Sequence, residues 1–160
     1  MLKISFKDDY KDVVVFQHKV TVVTLTGKLV MELEHIPHHI WTWALEHPSV
    51  DVSVTYHDGH ECWILKANGK AKCHKDDTPN AKLGEKIAES RAKIRIYRFM
   101  HTLTLKLGEY YLNICGIDDV ELVSDFVEDN SNILSACKKY MHLLDHERHH
   151  LTELLQQTVS

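Results

Sequence analysis

The chain of 160 residues has no pair of cysteines at C-x-x-C spacing; Cys62, Cys73, Cys115 and Cys137 are scattered. That excludes a standard zinc knuckle and points to free thiols in a reducing compartment. No apolar run approaches membrane length, and the opening MLKISFKDDYKD turns acidic after six residues, unlike a secretory signal. The expected location is therefore cytoplasmic. No phosphate-loop or dinucleotide glycine fingerprint occurs, and no serine, cysteine or lysine stands in a recognised nucleophile context. Neither an internal repeat nor a low-complexity linker divides the chain. The formal net charge of −4 gives no general attraction to nucleic acid or membranes, so an anion site has to be built locally. No cofactor is implied.

What is present changes character near residue 78. Before it, strand signals dominate. DVVVFQHKVTVVTLTGKLV, from Asp12 to Val30, is rich in β-branched residues and reads as strands with a turn at Gly27. IPHHIWTWALEHP predicts a short helix between Pro37 and Pro48. Asp58-Gly59 and Asn68-Gly69 accept the positive φ of tight turns, so Asp51 to His74 reads as a three-stranded meander. After Pro79 the chain turns helical. Asn80 can cap a helix from Leu83 to about Leu107, IDDVELVSDFVEDN supplies a shorter one, and Ser131 can cap a long third. In that third helix Leu134, Cys137, Met141, Leu144, Leu151 and Leu155 step by four and three, the seam of a packed helix.

The expected fold is α+β, an antiparallel sheet in the N-terminal half against long C-terminal helices. Residues 1–107 would form the sheet, the first long helix and the ligand-binding core. Residues 108–160 would be a helical extension, packed on the same unit or used for oligomerisation. The apolar seam beyond Ser131 exceeds what a small sheet needs to cover, so a homo-oligomer, dimer or higher, is expected.

One stretch carries a specific pattern. At about 100° per residue, Gly84, Ala88, Arg91, Arg95 and Arg98 share a narrow stripe of the first long helix. Leu83, Ile87 and Ile94 line one flank, and Ala92, Ile96, Phe99 and Leu103 line the other. Cations between two apolar flanks need an acidic partner or a bound anion. Arginine suits phosphate through its planar, forked donors. Gly84 and Ala88 would let a ligand approach the helix N-terminus, where free amides favour negative charge. The structural reading is that the arginines pair with Asp76, Asp77 or Glu109, or reach out of the core to water.

GKAKCHKDD followed by NAKLGEKIAESRAK resembles a hairpin-helix module of small phage-encoded proteins. Gly69, Ala71, Cys73, His74, Asp77, Gly84, Ile87, Ala88, Arg91 and Ala92 stand at matching positions. Lys75 replaces the module's usual proline, and Pro79 its usual aromatic. The likeness is strongest over residues 69–92 and extends loosely over residues 1–100. Among such proteins the chain is similar to the Thoeris anti-defence sponges, which pair an N-terminal antiparallel sheet with C-terminal helices, assemble as oligomers and sequester cyclic ADP-ribose-type immune signals without cleaving them. The resemblance implies that Arg91 and Arg95 contact phosphates and that the protein acts in the cytoplasm of an infected bacterium. A ligand set of Arg91, Arg95, Arg98, His74, Lys75, Gly84 and Ala88, with Trp63 or Tyr97 stacking on a base, follows as an expectation. Burial statistics make Trp63 a core residue on their own.

Two further readings compete. His146, Glu147 and His150 spell H-E-x-x-H, with His142 on the same side, which in zincin proteases places two ligands and a glutamate base on one helix. Only ten residues follow His150 and Arg148 lies between the histidines, so a solvated helix face explains the run more simply, and a metal-dependent hydrolase is the least favoured reading. His35, His38 and His39 suggest a surface turn, and Cys62, Cys73, His74 and His60 match no standard metal spacing. The other class is a protein inhibitor of a host defence enzyme, of the anti-CRISPR kind, docking through the last helix and the tryptophan-bearing segment.

Overall fold

The computed structural model of the protein describes residues 3–17, 19–32, 38–45, 52–57, 62–72, 81–114 and 120–157. It is α+β, as expected: a four-stranded antiparallel sheet in the N-terminal half carries long helices from the C-terminal half. The strands are β1 (Lys3–Phe16), β2 (Val20–Glu32), β3 (Val52–His57) and β4 (Cys62–Lys72), in the order β1-β2-β4-β3. The helices are α1 (His38–Leu45), α2 (Ala81–Ile114) and α3 (Val120–Gln156). No helix among the described residues is long and apolar enough to cross a membrane.

Alternation with period two settles the two faces of the sheet. Val23, Leu25 and Leu29 of β2, Leu65, Ala67 and Ala71 of β4, and Val52 and Val54 of β3 are buried toward the helices. Thr24, Thr26, Ser53, Thr55, Lys66, Asn68 and Lys70 lie on the other face, half-buried or exposed.

Two expected turns fall elsewhere. The first hairpin turns at Gln17–Lys19, where Gln17 takes a φ of 51° and the Lys19 N–H donates to the Phe16 carbonyl at 2.9 Å. Gly27 instead sits inside β2, where a Cβ would collide with the Phe6 ring. Asn68-Gly69 likewise lies within β4, so β3 and β4 form one hairpin rather than part of a three-stranded meander. No described glycine has positive φ; Gly27 and Gly69 are used for their missing side chains. The Asp58-Gly59 turn lies outside the described residues.

Gly69 is where α2 meets the sheet. Ala88 and Ala92, both fully buried, lie against it, and a Cβ there would come within 2.5 Å of the Ala92 nitrogen and closer still to the Ala88 carbonyl oxygen. From this contact the core continues along α2 through Ile96, Phe99, Leu103 and Leu107. α1 closes the far end, burying Ile40 and Ala44 and stacking Trp43 on Phe99 with centroids 5.3 Å apart. Lys11 of β1 bridges to Glu85 (3.2 Å) and Glu89 (3.5 Å) of α2.

Where two helices were expected after residue 115, the structure has one: α3 runs unbroken through Ser131. Its buried positions, Ile133, Tyr140, Glu147 and Leu154, recur every seven residues. On α2, Ile87, Ser90, Ile94, Tyr97 and Thr104 follow the same four–three stepping, all of them buried or half-buried. Leu144 and Leu151 join the seam as expected, whereas Leu134, Met141 and Leu155 are 50%, 46% and 37% exposed. At those three positions the residue before, Ile133, Tyr140 or Leu154, is the buried one, and the partner the seam covers is α2 of the same chain.

That seam is unusually polar. Tyr140 Oη accepts the Phe6 N–H at 2.8 Å, joining α3 to β1, and the rings of Tyr97 and Tyr140 lie 6.5 Å apart. Burial, then the charges of Glu147 and Asp8, push the Tyr97 phenol above its ordinary value. Burial does the same to Tyr140, against the opposing hydrogen bond from Phe6. A phenol whose folded pKa is raised contributes stability that is complete below its unfolded pKa of about 10 and lost as pH rises through the folded value. The two phenols should therefore make the melting temperature fall as pH rises above about 10. Tyr97→Phe should make that fall shallower.

Candidate functional site

β3 ends its pairing at Val52, opposite Ala67. Asn68 to Lys72 of β4 continue beyond it, paired on the β2 side alone among the described residues. In an antiparallel ladder alternate carbonyls point to opposite neighbours, so a strand extending past its partner leaves every second carbonyl open. Half-buried, as at Asn68, such a group needs a donor, and at the exposed Lys70 one is also supplied. Arg91 and Arg95 supply it. The Arg91 Nη1 donates to the Lys70 carbonyl at 2.6 Å, and the Arg95 Nη1 donates to the Asn68 carbonyl. Helix spacing of four residues on α2 matches a strand spacing of two on β4 because the helix rises about 6 Å over that interval and the strand about 6.6 Å.

The arginines are therefore tied to the sheet by its main chain. Each donates to a main-chain oxygen, a neutral acceptor that orients the guanidinium. A guanidinium has five donors, and those of Arg91 other than the bond to Lys70 meet no described partner. Arg98 continues the row into solvent. Lys66, Lys70 and Lys72 project from the adjacent open face of β4 and are exposed. In a chain of net charge −4, this edge gathers cations of one sign around Asn68–Lys72.

Other expected members of the ligand set fall differently. Ala88 is buried against Gly69, and Gly84 faces β2, where a Cβ would stand 3.3 Å from Thr21 Oγ1; their small side chains serve helix–sheet packing rather than ligand approach. Trp63 is half-buried, packed on the core and opposite Leu29, away from the arginine row. Tyr97 faces the α2–α3 seam. His74 and Lys75 lie outside the described residues. Sequence reasoning did not single out Lys66, Lys70 and Lys72; their alternation along β4 is the signal that marks them. A cavity of about 290 Å³ opens on the opposite flank of α2, lined by Asp8, Asp9, Tyr10, Lys11, Leu25, Glu89 and Lys93.

The H-E-x-x-H stretch is split by its helix. His142, His146 and His150 are exposed, while Glu147 is 8% exposed and turned into the seam with α2. With its side chain buried in the seam while the three imidazoles face solvent, Glu147 is not placed as the base for a water held by them. No group of three or more metal-binding side chains is formed among the described residues.

No protein-family model, curated protein or solved structure matches the chain, so the site is read from its own chemistry.

Proposed function

We propose that this protein is a non-catalytic, cytoplasmic binder of a phosphate-bearing nucleotide signal of the cyclic ADP-ribose or cyclic-nucleotide kind, acting as a phage-type sponge that sequesters the signal intact and working as a homo-oligomer. The observation that carries the reading is the hydrogen bonding of Arg91 and Arg95 to carbonyls of β4, which presets two guanidinium groups side by side through neutral acceptors. Such preorganised forks suit a phosphate or a pair of phosphates, and Arg98, Lys70 and Lys72 lend further positive charge to the same edge.

The test is calorimetric titration with ADP-ribose, cyclic ADP-ribose and cyclic dinucleotides, paired with mass spectrometry of whatever a denatured sample releases. Intact nucleotide bound to the wild type, with affinity about tenfold weaker in Arg91→Ala and again in Arg95→Ala, supports the proposal; one charge-assisted hydrogen bond of ~1.5 kcal/mol is a factor of that size. A released product chemically altered from the ligand would return the question to enzymes.

A second reading has its own observation. Leu134, Met141 and Leu155 leave an apolar stripe exposed on α3, which suits an inhibitor docking on a host protein. On that reading the arginine substitutions act through stability alone, and inhibition is lost with Met141→Glu.

A further inference from the structure

β1 is an edge strand, and its two halves are finished differently. Phe6 directs its N–H outward, away from β2, and Tyr140 of α3 caps it. The register then shifts between Asp8 and Tyr10. This bulge changes the parity of the strand, so Lys11, Val13 and Val15 become the residues whose N–H and C=O groups point away from β2. No described backbone or side-chain group bonds them. The side chains here are also unusual for an edge. Tyr10, Val14, Val15 and Phe16 are 64%, 40%, 49% and 54% exposed, and they make up four of the eight large hydrophobics exposed among the described residues. Edge strands are normally blunted by lysine, proline or a covering element. Residues 13–16 have none of these.

We propose that this half of β1 pairs antiparallel with β1 of a second copy of the chain, joining two four-stranded sheets into one across a two-fold axis. The occupant is argued from self-complementarity. A two-fold perpendicular to the sheet keeps open face with open face, so paired residues must share parity. Setting Val13 opposite Val13 of the second copy places Lys11 opposite Val15 and Tyr10 opposite Phe16. All outward groups of Lys11, Val13 and Val15 then exchange hydrogen bonds, and two aromatic pairs form on the open face. Slipping the register one way sets Asp12 against Asp12, and slipping it further sets Lys11 against Lys11. Slipping the other way, to Val14 against Val14, breaks the Lys11–Val15 exchange and both Tyr10–Phe16 pairs, so charge on one side and lost pairing on the other select the Val13-centred register. This interface is remote from the arginines of α2 on the β4 side and stands or falls independently of the ligand reading.

The test is sedimentation of the purified full chain over a concentration series, with hydrogen–deuterium exchange at the same concentrations. The expected result is a mass of two chains, with the amides of Lys11, Val13 and Val15 protected only where the dimer is populated. Val15→Lys sets a lysine against Lys11 of the second copy at an exposed position, and should weaken self-association about tenfold while leaving thermal melting of the single chain unchanged. Val13→Pro serves as the second variant: its missing N–H faces away from β2, so it blocks the added strand without removing a bond of the hairpin. A single-chain mass at every concentration overturns the proposal, as does a dimer indifferent to both substitutions. Protection of those amides only after mixing with cell extract would assign the edge to another protein's strand and overturn it equally.

Discussion

Gly69→Ala is expected to destabilise the protein by about 3–5 kcal/mol, more than overpacking a side chain into a yielding core costs. The reason is what the new methyl would meet. It would fall against the carbonyl of Ala88 and 2.5 Å from the amide nitrogen of Ala92, both main-chain atoms in the interior of a helix. Side chains could rotate aside; these atoms move only if α2 lifts from the sheet. The lift propagates in both directions along the 34-residue helix. It loosens Ile96, Phe99 and Leu103 on one side and draws Arg91 and Arg95 off the carbonyls of Lys70 and Asn68 on the other. Urea unfolding should show the lost stability as a lower midpoint at nearly constant slope. Any ligand held by the arginines should weaken in parallel. A stability close to that of the wild type would mean that α2 does not approach β4 this closely, and the arginine geometry would fail with it.

The same glycine shows why parts of the fold were legible in the sequence and others were not. The β-branched runs and period-two alternation identified the N-terminal half as sheet, and the four–three stepping after Pro79 identified the helices. Gly27 and Gly69 look like turns in the sequence because a glycine advertises freedom of φ. Here both are needed for the absence of Cβ beneath another element, a use that depends on tertiary approach and leaves no local mark. Ser131 misleads in the same way: a serine can cap a helix, but the backbone continues α3 through it.

The arginine stripe was correctly placed between apolar flanks, since rotation per residue fixes that. Its acceptors were not legible, because main-chain carbonyls exist at every residue and only the early end of β3 exposes these two. The α3 seam departs from the apolar count where Ile133, Tyr140 and Leu154 are buried in place of Leu134, Met141 and Leu155, and it admits the polar Glu147, which an apolar count passes over.

Glu147 leads to the second large effect. Glu147→Leu should stabilise the protein by about 2 kcal/mol, raising the melting temperature by roughly 4–8 °C for a chain of this size. Its residue is 8% exposed and its Oε1 has no hydrogen-bond partner among the described residues, at a position of the α2–α3 seam where the neighbouring repeats carry Ile133, Tyr140 and Leu154. Breaking a satisfied buried polar network destabilises, but replacing an unsatisfied buried polar group by an apolar one of similar size removes a desolvation penalty. Leucine also suits the seam and the helix. A second readout separates this cause from generic helix propensity. Because the Glu147 charge is one of the influences raising the Tyr97 phenol, its removal should let that phenol titrate at lower pH, visible in an ultraviolet titration of the folded protein. Stabilisation with an unmoved Tyr97 would credit propensity alone. Destabilisation would show that the carboxylate has a partner in the seam, and the polar position would then be one that holds the two helices in register.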